Sequence, residues 1–444
     1  MIRLISRRPD ARDTGDSRVS ALLRSEKGNV VVTFALCLVP LMGIVGMAID
    51  YGQAVMLRNR LQIAADAAAL GVIAEESPAS LAAGLMKSDG VVAVGAQDGL
   101  NLMAANLSAA DRKNLKDASV TVQKTGGYLT SKVSFAGASP NSILQIFGRN
   151  DFALGGAATG QHLLAQYVDF YILIDNTPSM GVAATPADMA RMEKKNDGCA
   201  FACHDLSNSN GAYQIAKKNG IKMRIDTVRL ATQELTETAS ESAELPEQFR
   251  MGVYTFGTSA EDLTVTTITA PTPDLTKVRN SANAVDLMTI PYQGYNNDQM
   301  TDFVGTLKQM NDLLTKSGDG SIKDDPQKIL FLVSDGVNDG YLTKGCTKPL
   351  TGTRCQAPID VAQSYCQKIK DKNIKVAVLY TTYSPLPSNG WYNTWISPFQ
   401  AEIGTKMQAC ASAGLYYEVS PSEGIDDAMK ALFQKALRTV QLAS

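Results

Sequence analysis

The sequence predicts an α/β protein with a single N-terminal membrane helix, a small α+β module, and a doubly wound, mainly parallel sheet with long cap insertions. Three observations carry this reading. A charge-free run from Val30 to Ile49 follows an Arg-rich head. Five apolar strand-like segments between residues 168 and 419 alternate with amphipathic helices. Two of those strands end on an aspartate, Asp175 and Asp335. A chain of 444 residues is long enough for two or three domains. A net charge of -2 supplies no field that would recruit nucleic acid, so no nucleic-acid partner is expected. With two histidines, His162 and His204, there is no material for a multi-histidine metal or acid–base centre.

Residues 1–28 are polar and basic, carrying Arg3, Arg7, Arg8, Arg12, Arg18, Arg24 and Lys27. The run that follows, "VVVTFALCLVPLMGIVGMAI", is about 20 residues, enough as a helix to cross about 30 Å of hydrocarbon. A secretory signal has a shorter apolar core, roughly 7–15 residues. A buried core helix is seldom apolar on every face for so long. Residues 29–76 are therefore expected to form a transmembrane helix that continues outward as a rod. In that rod Leu57, Leu61, Ala64 and Ala68 fall at helical spacing. The basic head predicts one pass through the inner membrane, N-terminus inside and the remainder in the periplasm or outside the cell. Pro40 is tolerable there because local adjustments satisfy the freed carbonyl.

Residues 77–165 read as the α+β module. The runs "ASVTVQK" and "YLTSKVSFAG" flank Gly126 and Gly127, a hairpin signal, and no chemistry is legible in them. Residues 166–444 are the α/β domain. Its expected strands are 168–174, 249–256, 328–334, 374–380 and 414–419. Between them, helices place Ile225, Val228, Leu235 and Ala239 on one face, then Phe303, Leu307, Met310 and Leu314, and last Ile425, Met429, Leu432, Ala436 and Val440. Apolar strands alternating with such helices mean a parallel sheet covered on both faces. In these sheets ligands sit outside the carboxyl ends of the strands, where Asp175 and Asp335 lie.

After Asp175, the loop "DNTPS" carries Thr177 and Ser179 at alternate positions. Two carboxylates and several hydroxyls without histidine or thiol suit a hard divalent cation, Mg²⁺ first, with Ca²⁺ or Mn²⁺ as alternatives. The competing reading is that both aspartates cap helices.

Together these residues resemble the metal-ion-dependent adhesion site of von Willebrand factor A domains. "DNTPS" is similar to that family's Asp-x-Ser-x-Ser motif, with Thr177 keeping the first hydroxyl. The resemblance implies Thr301, in "NNDQMTDFVG", as the threonine of the second loop, near Asn297 and Asp298. It implies Asp335, followed by Gly336 in "LVSDG", as the final aspartate. The N-terminal stretch, from Arg24 through the apolar run to Ile73, resembles TadG-like proteins of tight-adherence (Tad/Flp) pilus systems. In those proteins a TadE-like membrane helix precedes an extracytoplasmic von Willebrand A domain. The resemblance implies other Tad/Flp pilus proteins as partners and a Cys366–Cys410 pairing. With two histidines no Ser–His–Asp set is credible, and no Walker glycine loop is present, so no enzymatic activity and no small-molecule substrate are expected. A prepilin-type processing signal would put glutamate five residues after Gly28. Thr33 stands there, so the anchor is expected to be retained.

Three long segments, 180–220, 337–360 and 382–400, each follow a strand and are expected to cap the metal face. Outside the membrane run, which holds Cys37, there are six cysteines: Cys199, Cys203, Cys346, Cys355, Cys366 and Cys410. An even set suits disulfides in an oxidising compartment, with Cys199–Cys203 and Cys346–Cys355 as short loops. The third cap holds both tryptophans, Trp391 and Trp395, which serve either as partner contacts or as packing for their own loop. "CAFACH" has the wrong spacing for haem attachment and lacks a fourth zinc ligand. Phosphotransfer on Asp175 would need an acid two residues on, where Thr177 stands. The remaining readings are a cation-dependent binding protein of pilus assembly or adherence, and a minor pilin-like subunit whose metal only stabilises it.

Overall fold

The computed structural model describes residues 29–443 except 197, 199–204, 208–210, 293, 299, 343–345, 347, 348, 351–353, 384, 388 and 421–423. The chain divides into two compact units. The first comprises the described residues up to Ala79 with Val91–Gln123 and Thr130–Gln161. The second comprises Ser80–Gly90, Lys124–Leu129 and the chain from His162 onward.

In the first unit, helix α1 (Asn29–Gly71) runs unbroken through Pro40 for 43 residues, about 64 Å at 1.5 Å per residue. Its membrane-length portion is exposed apolar surface. Beyond it one stripe is buried: Ala54, Leu57, Leu61, Ala64, Ala65 and Ala68, the i, i+3, i+4, i+7 spacing of a single helix face. Helix α3 (Ala93–Ala105) packs on α1 and is followed by α4 (Ala109–Asn114); the short α2 (Pro78–Gly84) spans the boundary, with Ser80–Gly84 counted in the second unit. A four-stranded sheet runs in the order β1 (Gly90–Val91), β2 (Leu115–Thr125), β3 (Tyr128–Pro140) and β4 (Asp151–Leu163). Gly95 and Gly99 let α3 lie close on β2. A Cβ at Gly95 would sit 2.5 Å from Val122 Cγ2, and one at Gly99 would sit 2.6 Å from Val120 Cγ1. The two expected strands are β2 and β3. The third long strand, β4, is "DFALGGAATGQHL", whose glycines and alanines carry little strand propensity.

The second unit is built on a six-stranded sheet in the order β12-β11-β8-β5-β6-β7. The strands are β5 (Val168–Ile174), β6 (Phe249–Thr255), β7 (Thr266–Thr272), β8 (Gln327–Ser334), β11 (Lys375–Thr381) and β12 (Tyr416–Val419). All neighbours are parallel except β6 and β7. This is the doubly wound order with one antiparallel edge. Buried residues on consecutive positions of β5 and β8 mean that both faces of the sheet are covered. Helix α7 (Arg224–Glu241) packs against α13 (Ile425–Ala443). Phe433 of α13 meets Phe170 at 4.9 Å and Phe249 at 5.8 Å between ring centroids, while Phe331 lies 5.9 Å from Phe170. Helices α8 (Leu275–Ser281), α9 (Phe303–Leu313), α10 (Cys366–Lys370) and α12 (Gln400–Cys410) complete the main framework.

The five expected strands are present, with boundaries displaced by a residue or two. The edge strand β7 and a hairpin of β9 (Val337–Tyr341) and β10 (Arg354–Pro358) were not legible. The hairpin occupies the segment 337–360. Segment 180–220 contributes α5 (Pro186–Lys195) and α6 (Ala212–Asn219), and segment 382–400 contributes the short α11 (Gly390–Trp395). Disulfides join Cys346 to Cys355 and Cys366 to Cys410. Cys199 and Cys203 lie outside the described residues.

Candidate metal centre

β5 and β8 are adjacent, and the strand order reverses between them. Crevices form where neighbouring connections leave to opposite faces, and both aspartates stand there. Asp175 follows β5 and donates its backbone N–H to Val333 O at 2.9 Å. Its Oδ1 accepts from Thr177 N at 3.0 Å and from Thr177 Oγ1 at 2.7 Å. Its Oδ2 accepts from Ser334 Oγ at 2.5 Å. Pro178 opens the short 3₁₀ turn Pro178–Gly181, at the first-turn position where a missing N–H costs nothing. That turn returns Ser179 toward Thr177, with hydroxyls 3.5 Å apart.

Thr301 arrives from a different loop. Its hydroxyl donates to Thr177 Oγ1 at 2.9 Å. Its backbone exchanges two 3.0 Å hydrogen bonds with Asp339 on β9, so the segment after Asp335 also fixes the Thr301 loop. Asp335 accepts from Val337 N at 3.3 Å and hydrogen-bonds with the Ser179 and Tyr383 side chains. Gly336 adopts φ +73°, and a Cβ there would lie 2.6 Å from Ile403 Cγ2 and 2.8 Å from Met407 Cγ; only glycine fits. All five expected residues therefore converge, and Asp175, Thr177, Thr301 and Asp335 are buried. Asn297 and Asp298 belong to a 3₁₀ turn, Tyr295–Asp298.

Four residues of this centre escaped the sequence reading. Ser334 bridges Asp175 and Gly336 N. Asn176 ties the loop to the end of β6, accepting from Phe256 N and donating to Gly257 O. Arg224, the first residue of α7, is fully buried and pairs with Asp335 at 3.2 Å. Tyr383 stacks on that guanidinium, 4.5 Å from ring centroid to Cζ, and is itself buried. Arg224 Nε and Nη2 have no hydrogen-bond partner among the described residues. The signals available in sequence were a lone arginine opening an amphipathic helix and a tyrosine two residues past a strand, neither specific.

Burial, and then the charge of Asp335, pushes Asp175 up to about 7. Burial also raises Asp335, against the pull of Arg224. Two carboxylates and a single guanidinium, which pairs with Asp335, leave a net negative site that a proton or a cation can neutralise. Neighbouring ligands of a six-coordinate Mg²⁺, bound at about 2.0–2.1 Å, lie about 2.9 Å apart. The Thr177–Thr301 hydroxyl pair has that spacing, while Thr177–Ser179 is wider. Among the described residues no group of three or more His, Cys, Asp or Glu side chains is placed to hold a metal ion. The donor set is thus hydroxyl-rich and hard, fitting Mg²⁺ or Ca²⁺ rather than zinc or copper.

The tryptophans lie one layer out. Trp391 stacks on Arg354 at 5.0 Å and lies 5.9 Å from Trp395. Arg354 makes paired 2.6 Å bonds to Asp339, the residue whose backbone holds Thr301. Both indoles are half-buried.

Residues 28–75 match the Tad family model, described as Flp pilus-assembly TadE/G-like. No curated protein matches the chain. Among solved structures, the von Willebrand domain of the type V pili tip protein Mfa5 from Porphyromonas gingivalis is 10% identical with a TM-score of 0.35, covering 63% of this chain and 97% of that one. The adhesive tip pilin GBS104 from Streptococcus agalactiae is 10% identical at TM-score 0.35, covering 73% and 70%. The PilB minor pilin from Streptococcus sanguinis is 12% identical at 0.33, covering 74% and 78%.

Proposed function

We propose that this chain is a membrane-anchored, extracytoplasmic protein of Tad/Flp pilus assembly or adherence, and that its α/β domain holds a divalent cation through Asp175, Thr177, Ser179, Thr301 and Asp335. Its TadE/G-like N-terminal segment supports the pilus association. The single observation that supports the cation site is the convergence of three hydroxyls from two loops on two strand-end carboxylates at the switch point of the sheet. When bound, the cation would supply an electrophilic position able to accept a partner's carboxylate. The chain's own residues hold the hydroxyls in place, balance charge through Arg224, and exclude water through Tyr383. Other pilus proteins are the partners this reading assigns, and no catalysis is assigned.

One observation favours the second reading, a minor pilin-like subunit whose cation is only stabilising. Asp175, Thr177 and Asp335 have no solvent exposure and Tyr383 has 3%, so a partner's side chain needs the Tyr383 segment to move. Co-purification from membranes with and without chelator separates the two. Partner-binding predicts a partner lost with chelator and lost in Asp175→Ala/Ser179→Ala, with protein level retained. The stabilising reading predicts partners retained and only a lower melting temperature. A melting temperature and partner set unaffected by chelator would remove the cation from both.

A further inference from the structure

The loop between β3 and β4, residues 141–150, meets the membrane-length part of α1. Every described residue from Val30 to Ile49 is exposed except Gly43 and Gly46. These two and the buried Asp50 share one face of the helix, at i, i+3 and i+7. The loop lies on this face. A Cβ at Gly46 would sit 2.4 Å from Ile143 Cγ2, and one at Gly43 would sit 3.9 Å from Phe147 Cζ. Asp50 pins the loop by accepting three backbone N–H groups, from Ser142 at 2.9 Å, Ile143 at 3.0 Å and Leu144 at 2.7 Å.

Depth follows from helix geometry. Gly43 lies six residues before Ile49, the end of the charge-free run, or about 9 Å further along the axis. The Phe147 ring is therefore level with the apolar run rather than beyond it. The loop exposes two large apolar side chains, Ile146 at 74% and Phe147 at 46%, beside the polar Ser142, Gln145, Arg149 and Asn150. The backbone is prepared for a dry setting, where an unsatisfied N–H costs several kcal/mol. Besides the three bonds to Asp50, Ile146 N donates to Ile143 O, Gly148 N to Gln145 O and Arg149 N to Leu144 O. Just outside the run, Tyr51 meets Phe152 edge-on at 6.2 Å, an aromatic pair at the level where membrane proteins collect them.

We propose that the Ile143–Phe147 turn dips into the acyl chains of the leaflet facing the folded part of the chain, a second membrane contact beside the helix. It rests on the reading of α1 as a membrane anchor. The occupant is lipid because the apolar surface of the turn is continuous with that of the helix at the same depth. The turn would fix how far α1 is inserted and how it is rotated, and hence where the rod begins.

The test uses the full chain in the Cys37→Ala background, reconstituted in phosphatidylethanolamine–phosphatidylglycerol vesicles containing a lipid with a shallow acyl-chain nitroxide. An environment-sensitive fluorophore is placed on Ile146→Cys, and in a separate sample on Ile44→Cys, which marks the same depth on the helix. The unsubstituted background provides the signal to subtract. The expected result is blue-shifted emission at both positions with comparable nitroxide quenching. Adding Gly46→Leu should abolish quenching at residue 146 by displacing the turn. Gly52→Leu, where a Cβ meets nothing within 4 Å, should leave it unchanged. A water-like signal at 146 with a lipid-like signal at 44 would overturn the proposal and leave the anchor standing. A dry but unquenched probe at 146 would mean that protein covers the turn, which also overturns it. A water-like probe at 44 would remove the anchor and the proposal together.

Discussion

Asp175 is a buried carboxylate beside a second one, and that fixes how it titrates. Its folded pKa, about 7, stands above the ordinary 3.8, so the folded chain keeps a proton that the unfolded chain has released. The stabilisation linked to that proton is fully present below about pH 4 and is lost as pH rises through about 7. Chelator-treated protein should therefore melt at progressively lower temperature from about pH 4 to about pH 7, and saturating Mg²⁺ should flatten that slope. An Asp175→Asn chain that keeps the full slope would show that another group carries it. Arg224 answers the charge of Asp335 from within the chain. Removing one member of a buried pair costs about 3–5 kcal/mol; Arg224→Met should lose that much in denaturant titrations in chelator, and less with Mg²⁺ present. Asp175, Thr177, Ser179 and Asp335 were legible because strand ends and alternate spacing are local signals, and Thr301 because a family loop pattern marks it. Arg224 was not legible. Its partner is 111 residues away, and only the β5–β8 adjacency brings the two together.

At the level of elements, the parallel strands read clearly because burial on both faces makes them nearly continuous apolar runs. The edge strand β7 did not: its "TTITAPT" mixes polar and apolar positions, as a strand with only one neighbour can. β4 was hidden by glycine and alanine, which its packing uses rather than merely tolerates. A Cβ at Gly156 would lie 2.4 Å from Gln62 Oε1, and one at Gly160 2.9 Å from Ala69 O. The Cys366–Cys410 bridge joins α10 to α12 across 44 residues of sequence, and closing a loop of that size is worth about 4 kcal/mol in the chain-entropy account. A Cys366→Ala/Cys410→Ala chain should lose stability of that order in non-reducing denaturant titrations, while dithiothreitol should barely affect it through this bridge. The αL position at Gly336 gives a sharper test of the loop after β8. Gly336→Ala should cost at least about 1–2 kcal/mol from backbone conformation alone. It should also weaken Mg²⁺ binding, since Asp335 immediately precedes it. A variant as stable as the parent would mean that the loop relaxes freely.

Across the whole molecule, the chain carries an N-terminal helix of exposed apolar surface and a domain with two strand-end carboxylates at one end of its sheet. The N-terminal helix reads from composition and length alone, since few structures other than a membrane helix use 20 consecutive apolar residues. The domain reads from periodicity, and its site from the few polar residues that interrupt it. If the polar residues at the strand ends hold a cation, as proposed, calorimetric titration of Mg²⁺ into chelator-stripped full chain should give one saturable site per chain. The same titration of Asp175→Ala should give none. No saturable binding in the parent, or equal binding in both, would contradict the proposal.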